Sequence, residues 1–295
     1  MVSLPIIKSR YVHMYDSLPS WDEIDGNQAS LGNGVGANKG LKTKQRVFLD
    51  IFGLVCLMLL VYLFYMILPT PVQYFRPNDP DLMYPVLTPT VPSSMVAILS
   101  LLLPLAAVFI YNLVLGWNKY DLYAGLMGAL LAYVLALFAT ATLWKYVGGL
   151  RPNFLSICQM DPVKLAENPS VAYYSHDECV NRHVFTRDTF HGFPSGHAST
   201  AFAGCVYLST YLAAHLRLYR NGNILKTFVV LLPLMCACWL SFSRIIDHHH
   251  TWIQVLVGII IGILSGLFAY RLLYVQGFRF GYGKWAYIPA LRYNV

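Results

Sequence analysis

Charge is what this chain has least of. Only 12% of its 295 residues are Asp, Glu, Lys or Arg, while 57% are hydrophobic. Soluble domains usually carry about 25% charged residues, so the composition excludes an ordinary soluble domain. The mean hydropathy of +0.51 agrees. No internal repeat and no N-terminal signal peptide are visible. The first 46 residues are polar and Gly-rich, and the first apolar run is too long for an h-region. No Asn-x-Ser/Thr acceptor is usable, because Asn168-Pro169-Ser170 contains a proline. No carboxylate or cysteine cluster accompanies the histidines, so neither a metal nor another cofactor is expected. The formal charge of +7 reads as a topology signal, and no nucleic-acid partner is expected.

What is present is a set of long apolar runs. Crossing a bilayer core takes roughly 20 residues, and six segments qualify: Val47–Leu68, Ser94–Leu115, Leu122–Trp144, His197–Ala214, Ile224–Phe242 and Thr251–Tyr274. The expected fold is all-α, a six-transmembrane-helix bundle spanning residues 47–275. A flexible cytoplasmic tail, 1–46, precedes it and a short interfacial cytoplasmic tail, 276–295, follows. The fourth segment is the least hydrophobic, with Ser199, Thr200, Ser209 and Thr210, and is expected among its neighbours rather than against lipid. Gly258, Gly262 and Gly266 give the sixth one smooth face for close packing. Six crossings put both termini on one side. That side carries 14 Lys and Arg against 7 on the other, which places the termini in the cytoplasm. Cys158 and Cys179 fall in the large outer loop and can pair if that side is oxidising.

Three polar clusters interrupt the apolar pattern. Arg151-Pro152 follows the third segment with Lys145 close by. Phe193-Pro194-Ser195-Gly196-His197 opens the fourth. Ser243-Arg244, Asp247 and His248-His249-His250 lie between the fifth and sixth. An even number of crossings separates them, so all three meet the same aqueous face and can converge. Arginine forks match phosphate oxygens bidentately. A helix start at Ser195-Gly196 offers backbone N–H groups to an anion. Two histidines can divide the roles of nucleophile and acid that phosphoryl transfer through a phosphohistidine requires. Asp247 is expected to partner a nearby Arg or His. His248 and His249 are expected beside the site, and His176, His183 and His191 are expected to be solvated.

In this order and on these segments the clusters resemble the lipid phosphate phosphatases, the type 2 phosphatidic acid phosphatase superfamily, most of all the fungal-type diacylglycerol pyrophosphate/phosphatidate phosphatases. The resemblance implies an integral membrane protein of endomembranes or the plasma membrane. Its site would be lumenal or extracellular. It also implies metal-independent dephosphorylation of phosphatidate, lysophosphatidate and diacylglycerol pyrophosphate. By motif, His250 would be the nucleophile and His197 the acid; Arg151, Ser195, Gly196, Arg244 and Lys145 would bind phosphate. Two positions depart from the family pattern. Gln254 stands where the family has an Asp that orients the nucleophile, and a Gln carbonyl can orient the ring but supplies no charge. Trp144 stands in the family's lysine slot, with Lys145 one residue on, about 100° around a helix. An attenuated member that binds lipid phosphates or partner proteins with little turnover is the competing reading. A channel or transporter fits less well, because the charged motifs gather at one face. A homo-oligomer is compatible with the sequence, which gives no oligomeric state.

Overall fold

The computed structural model describes residues 43–115, 119–160, 162–167, 173–185, 187–218, 222–275 and 288–289. The N-terminal tail as far as Lys42, and all of the C-terminal tail except 288–289, lie outside the described residues. Helix α1 (Thr43–Tyr62) ends in a π-turn, Leu63–Ile67. Helix α2 starts at Ser93–Ala97, passes through a π-turn at Ile98–Leu102 and continues as Leu103–Leu115. Then come α3 (Lys119–Tyr146), the short α4 (Phe154–Cys158) and α5 (Pro162–Glu167), and the long α6 (Gly196–His215), α7 (Ile224–Ile246) and α8 (Trp252–Leu273).

Each of the six apolar segments forms a helix. Among the described residues five are long and apolar enough to cross a membrane: α1, α2, α3, α7 and α8. Helix α6 is long enough, about 30 Å for its 20 residues, but more polar. The reason is its position. Sixteen of its residues are buried, and it packs against α8, α7 and α3. A helix enclosed by protein needs no lipid-compatible face, so small and hydroxylated residues serve it better. Gly258, Gly262 and Gly266 of α8 face it. A Cβ on Gly258 would lie 2.6 Å from Ser195 O, and one on Gly262 2.5 Å from Ser199 O. The two backbones therefore touch along this stripe.

The two ends of α6 have different chemistry. Its C-terminal end holds a buried polar cluster. The carboxylate of Asp121 accepts from Asn112 Nδ2 (2.9 Å), Tyr211 OH (2.8 Å), Tyr274 OH (3.0 Å) and His215 Nε2 (2.9 Å). This one acidic side chain ties α2, α3, α6 and the start of strand β3 (Tyr274–Val275) together. Replacing Asp121 with Ala strands four donors in an apolar region. The expected loss is about 3–5 kcal/mol, read as a lower unfolding midpoint in detergent.

On the opposite side the long loops form their own small core. Strand β1 (Tyr74–Phe75) pairs antiparallel with β2 (Tyr174–Ser175). Cys158 and Cys179 form a disulfide with a Cα–Cα distance of 4.9 Å. Phe75, Phe154 and Tyr174 pack around it. These loops cover the N-terminal end of α6, where the three motifs meet.

Candidate active site

Main-chain hydrogen bonds bring the three motifs together. Helix α3 ends at Tyr146, and Gly148 (φ +62°) and Gly149 (φ +136°) turn the chain in conformations that favour glycine. Gly149 O then accepts from Gly192 N (2.9 Å), pinning the segment before Arg151 to the segment before α6. Ser195 N donates to Gln254 O (3.0 Å), pinning that segment in turn to the first turn of α8. Ser195 is the N-cap of α6, and its hydroxyl accepts from Ala198 N. Thr251 caps α8 in a capping box with Gln254.

That capping box orients His250. Gln254 Oε1 accepts from Thr251 N (3.1 Å) and faces His250 Nδ1 (3.1 Å), while its Nε2 donates to Leu150 O (3.4 Å). A second acceptor, Gly192 O, lies 2.9 Å from the same Nδ1. Two acceptors on Nδ1 put the proton there and leave Nε2 as the basic nitrogen. His250 is 3% exposed. Burial holds its pKa well below the usual imidazole value. The charges of Arg151 and His197 add to that effect, and the bonds to Gly192 and Gln254 oppose it. These influences together favour the neutral ring.

A cavity of about 580 Å³ opens beside this ring. Arg151, Gly196, His197 and His250 all line it. His197 Nε2 lies 3.1 Å from Ser93 Oγ at the start of α2. Arg151 Nη1 lies 3.4 Å from His249 Nδ1. The cavity continues between the helices, where Met58, Val61 and Met66 of α1 and Leu137 and Ala141 of α3 make its wall apolar.

Two expected phosphate ligands point elsewhere. Arg244 is buried, and its Nη2 donates to Val91 O (2.7 Å) and Asp247 Oδ2 (2.9 Å). Asp247 also accepts from Thr90 N and Thr90 Oγ1. The expected Asp247 partner is thus Arg244, and the pair anchors the loop before α2. Lys145 is buried as well, and its Nζ donates to Thr70 Oγ1 (3.2 Å). It is absent from the cavity lining. The one-residue offset turns Lys145 off the cavity face, and Trp144 fills that face instead. The Trp144 Nε1 donates to Pro194 O (2.9 Å), and a Cβ on Gly196 would lie 2.7 Å from its ring.

The residue-by-residue reading missed His191. Expected in solvent, it is 0% exposed and lines the cavity, stacked on Trp144. Tyr65 and Ser93 also join the lining from outside the motifs. No sequence spacing signals these contacts, since each comes from a helix or loop far along the chain. His248 (φ +55°) stacks on Tyr84 at 4.5 Å and stays out of the cavity.

The PAP2 superfamily model matches residues 125–278, from early in α3 to just beyond α8, and so takes in every motif of the site. The chain belongs to the PAP2 superfamily. It is similar to a PA-phosphatase related-family protein of Dictyostelium discoideum (31% identity over 76% of this chain and 63% of that protein). It is similar also to lipid phosphate phosphatase 1 of Arabidopsis thaliana (32% over 71% of this chain and 63% of that protein). A third relative is diacylglycerol pyrophosphate phosphatase 1 of Saccharomyces cerevisiae (31% over 75% of this chain and 78% of that protein). The chain spans a little under two thirds of the length of the first two. No solved structure matches it. Membership in the PAP2 superfamily, with five membrane-length apolar helices, makes it an integral membrane protein.

Proposed function

We propose that this PAP2 protein is a lipid phosphate phosphatase that works through a phosphohistidine. The observation that carries the reading is a buried His250, its Nδ1 held by Gly192 O and Gln254 Oε1, in one cavity with Arg151 and His197. The phosphate sits at the polar end, against Arg151 and the backbone N–H groups at Gly196, with Ser195 capping that helix start. The acyl chains lie in the apolar part between α1 and α3. His250 Nε2 attacks phosphorus, and His197 protonates the departing lipid oxygen. His197 then takes a proton from the water that hydrolyses the phosphohistidine. Arg151 offsets charge on the equatorial oxygens. Gln254 orients the nucleophile.

Phosphatidate, lysophosphatidate and diacylglycerol pyrophosphate are the proposed substrates. In the proposed topology α6 also crosses the membrane, as the fourth of six spans in a domain running from 47 to 275. The tails are cytoplasmic and the site opens to the lumen or exterior. The disulfide on the site side supports this, since such bonds persist in oxidising compartments. The second reading, a lipid-phosphate binder with little turnover, is favoured by one observation: the residue behind His250 is an uncharged Gln.

Purified protein in detergent is expected to release phosphate from phosphatidate with EDTA present, because the scheme uses no metal. With p-nitrophenyl phosphate, whose leaving group needs no proton, His197→Ala protein is expected to accumulate an acid-labile phosphohistidine. Absence of both phosphate release and the adduct would leave the binding reading standing.

A further inference from the structure

His191 is the buried titratable group that the proposed chemistry leaves unused. Its ring lies parallel to the Trp144 indole, 4.6 Å between centroids at 3°. Tyr65 lies tilted against it at 5.6 Å. A buried histidine in such a place is ordinarily a packing residue, but the distribution of charge around this one argues otherwise. Of the three expected cations, Arg151 alone lines the cavity. Arg244 is engaged with Asp247 and Val91 O, and Lys145 with Thr70. A phosphate monoester carries close to two negative charges at neutral pH, more than the Arg151 guanidinium balances once His197 has given its proton to the leaving group. The indole face beneath His191 favours a cation above it.

The groups that face this space come from every surrounding element. They are Tyr62 and Tyr65 on α1, Tyr133 on α3, Arg151 after α3, His197 on α6 and His250 before α8. None of the described residues that line the cavity is a carboxylate. A phosphate bound in the cavity is an anion that can hold a proton on His191 from that side.

We propose that His191 is a phosphate-binding residue, taking up one proton as phosphate enters and lying as an imidazolium between Trp144 and the anion. The proton comes from solvent and returns when phosphate leaves, and no bond to phosphorus forms at this ring. The inference rests on the phosphatase reading of the cavity. It makes phosphate affinity rise as pH falls, by a mechanism separate from the nucleophile.

The test is calorimetric titration of the full-length protein in detergent with inorganic phosphate at pH 6 and pH 8. Two buffers of different ionisation enthalpy at each pH report proton uptake. Comparing wild type with His191→Phe, which keeps a stacked ring, cancels the titration of phosphate itself. The variant is expected to bind about tenfold more weakly at pH 6 and to take up about one proton fewer. His191→Lys is expected to restore the pH 6 affinity and to hold it at pH 8. Should His191→Phe fold poorly, His191→Gln serves in its place. Wild-type affinity and proton uptake in a folded variant would overturn the inference and leave the phosphatase reading intact. Failure of the wild-type protein to bind phosphate at all would overturn both.

Discussion

Phosphate release from phosphatidate is expected to fall at least about 10³-fold in His250→Ala protein, because removing a nucleophile removes the reaction path itself. The loss should sit in kcat. Arg151 and the start of α6 remain to bind substrate, so KM changes far less. His250→Gln, which keeps a side chain against Gly192 O, should be equally inactive. Labelled phosphate should leave no adduct on either variant. Activity within tenfold of wild type would remove His250 from the mechanism. The acid limb of the pH profile adds a second check. The reactive form is the neutral ring, and its pKa is pushed down mainly by burial and further by Arg151 and His197. In the free protein it therefore stays neutral below the ordinary imidazole value of about 6.5, and the acid limb of kcat/KM assigned to it lies lower than that. A bound phosphate opposes the two cations, so the limb of kcat shifts to higher pH.

The second large effect is a gain. Gln254→Glu keeps the length of the side chain and both acceptor contacts, to Thr251 N and His250 Nδ1. It gives up the long 3.4 Å bond to Leu150 O. It also places a negative charge behind a ring that becomes cationic when phosphorylated. Turnover should rise about tenfold. Exchanging Asp for an amide in a serine-protease triad costs about 10⁴. The expected gain here is smaller, because Gly192 O already fixes the tautomer at 2.9 Å. Gln254→Asp should also be faster, but by less, since its shorter side chain draws back from both donors. Slower turnover in both variants would mean that the amide is an adaptation of this site, with its bond to Leu150 O as the part that matters.

The polar clusters of the site were legible because they stand at the ends of apolar runs, where charge is costly without a task. Arg151, His197 and His250 could be placed on one face by counting crossings alone. The orienting role of Gln254 was implied by the family resemblance, which has an Asp in its place, and the structure has its carbonyl 3.1 Å from the His250 ring. What could not be read was the direction of long side chains. Arg244 finds Asp247 one turn away, and Lys145 finds Thr70 at the exit of α1. Either choice depends on which loop lies across the helix end. His191 failed for the same reason. Its neighbours Tyr65 and Trp144 lie on α1 and α3, and a pattern of polar loop residues around it looks solvated until those helices are in place. The crossing helices themselves were clear from hydropathy. Helix α6 was the marginal one, because a rod wrapped in protein is free of the composition that lipid demands.

The bare stripe on α8 fixes more than packing. With main chain against main chain from Ser195 to Ala203, the spacing between the imidazoles of His197 and His250 is set by skeleton rather than by upholstery. The residues that would grip the fatty chains sit on α1 and α3 instead. Appetite for different tails can then drift by exchanging those residues while the chemical machinery stays where it is.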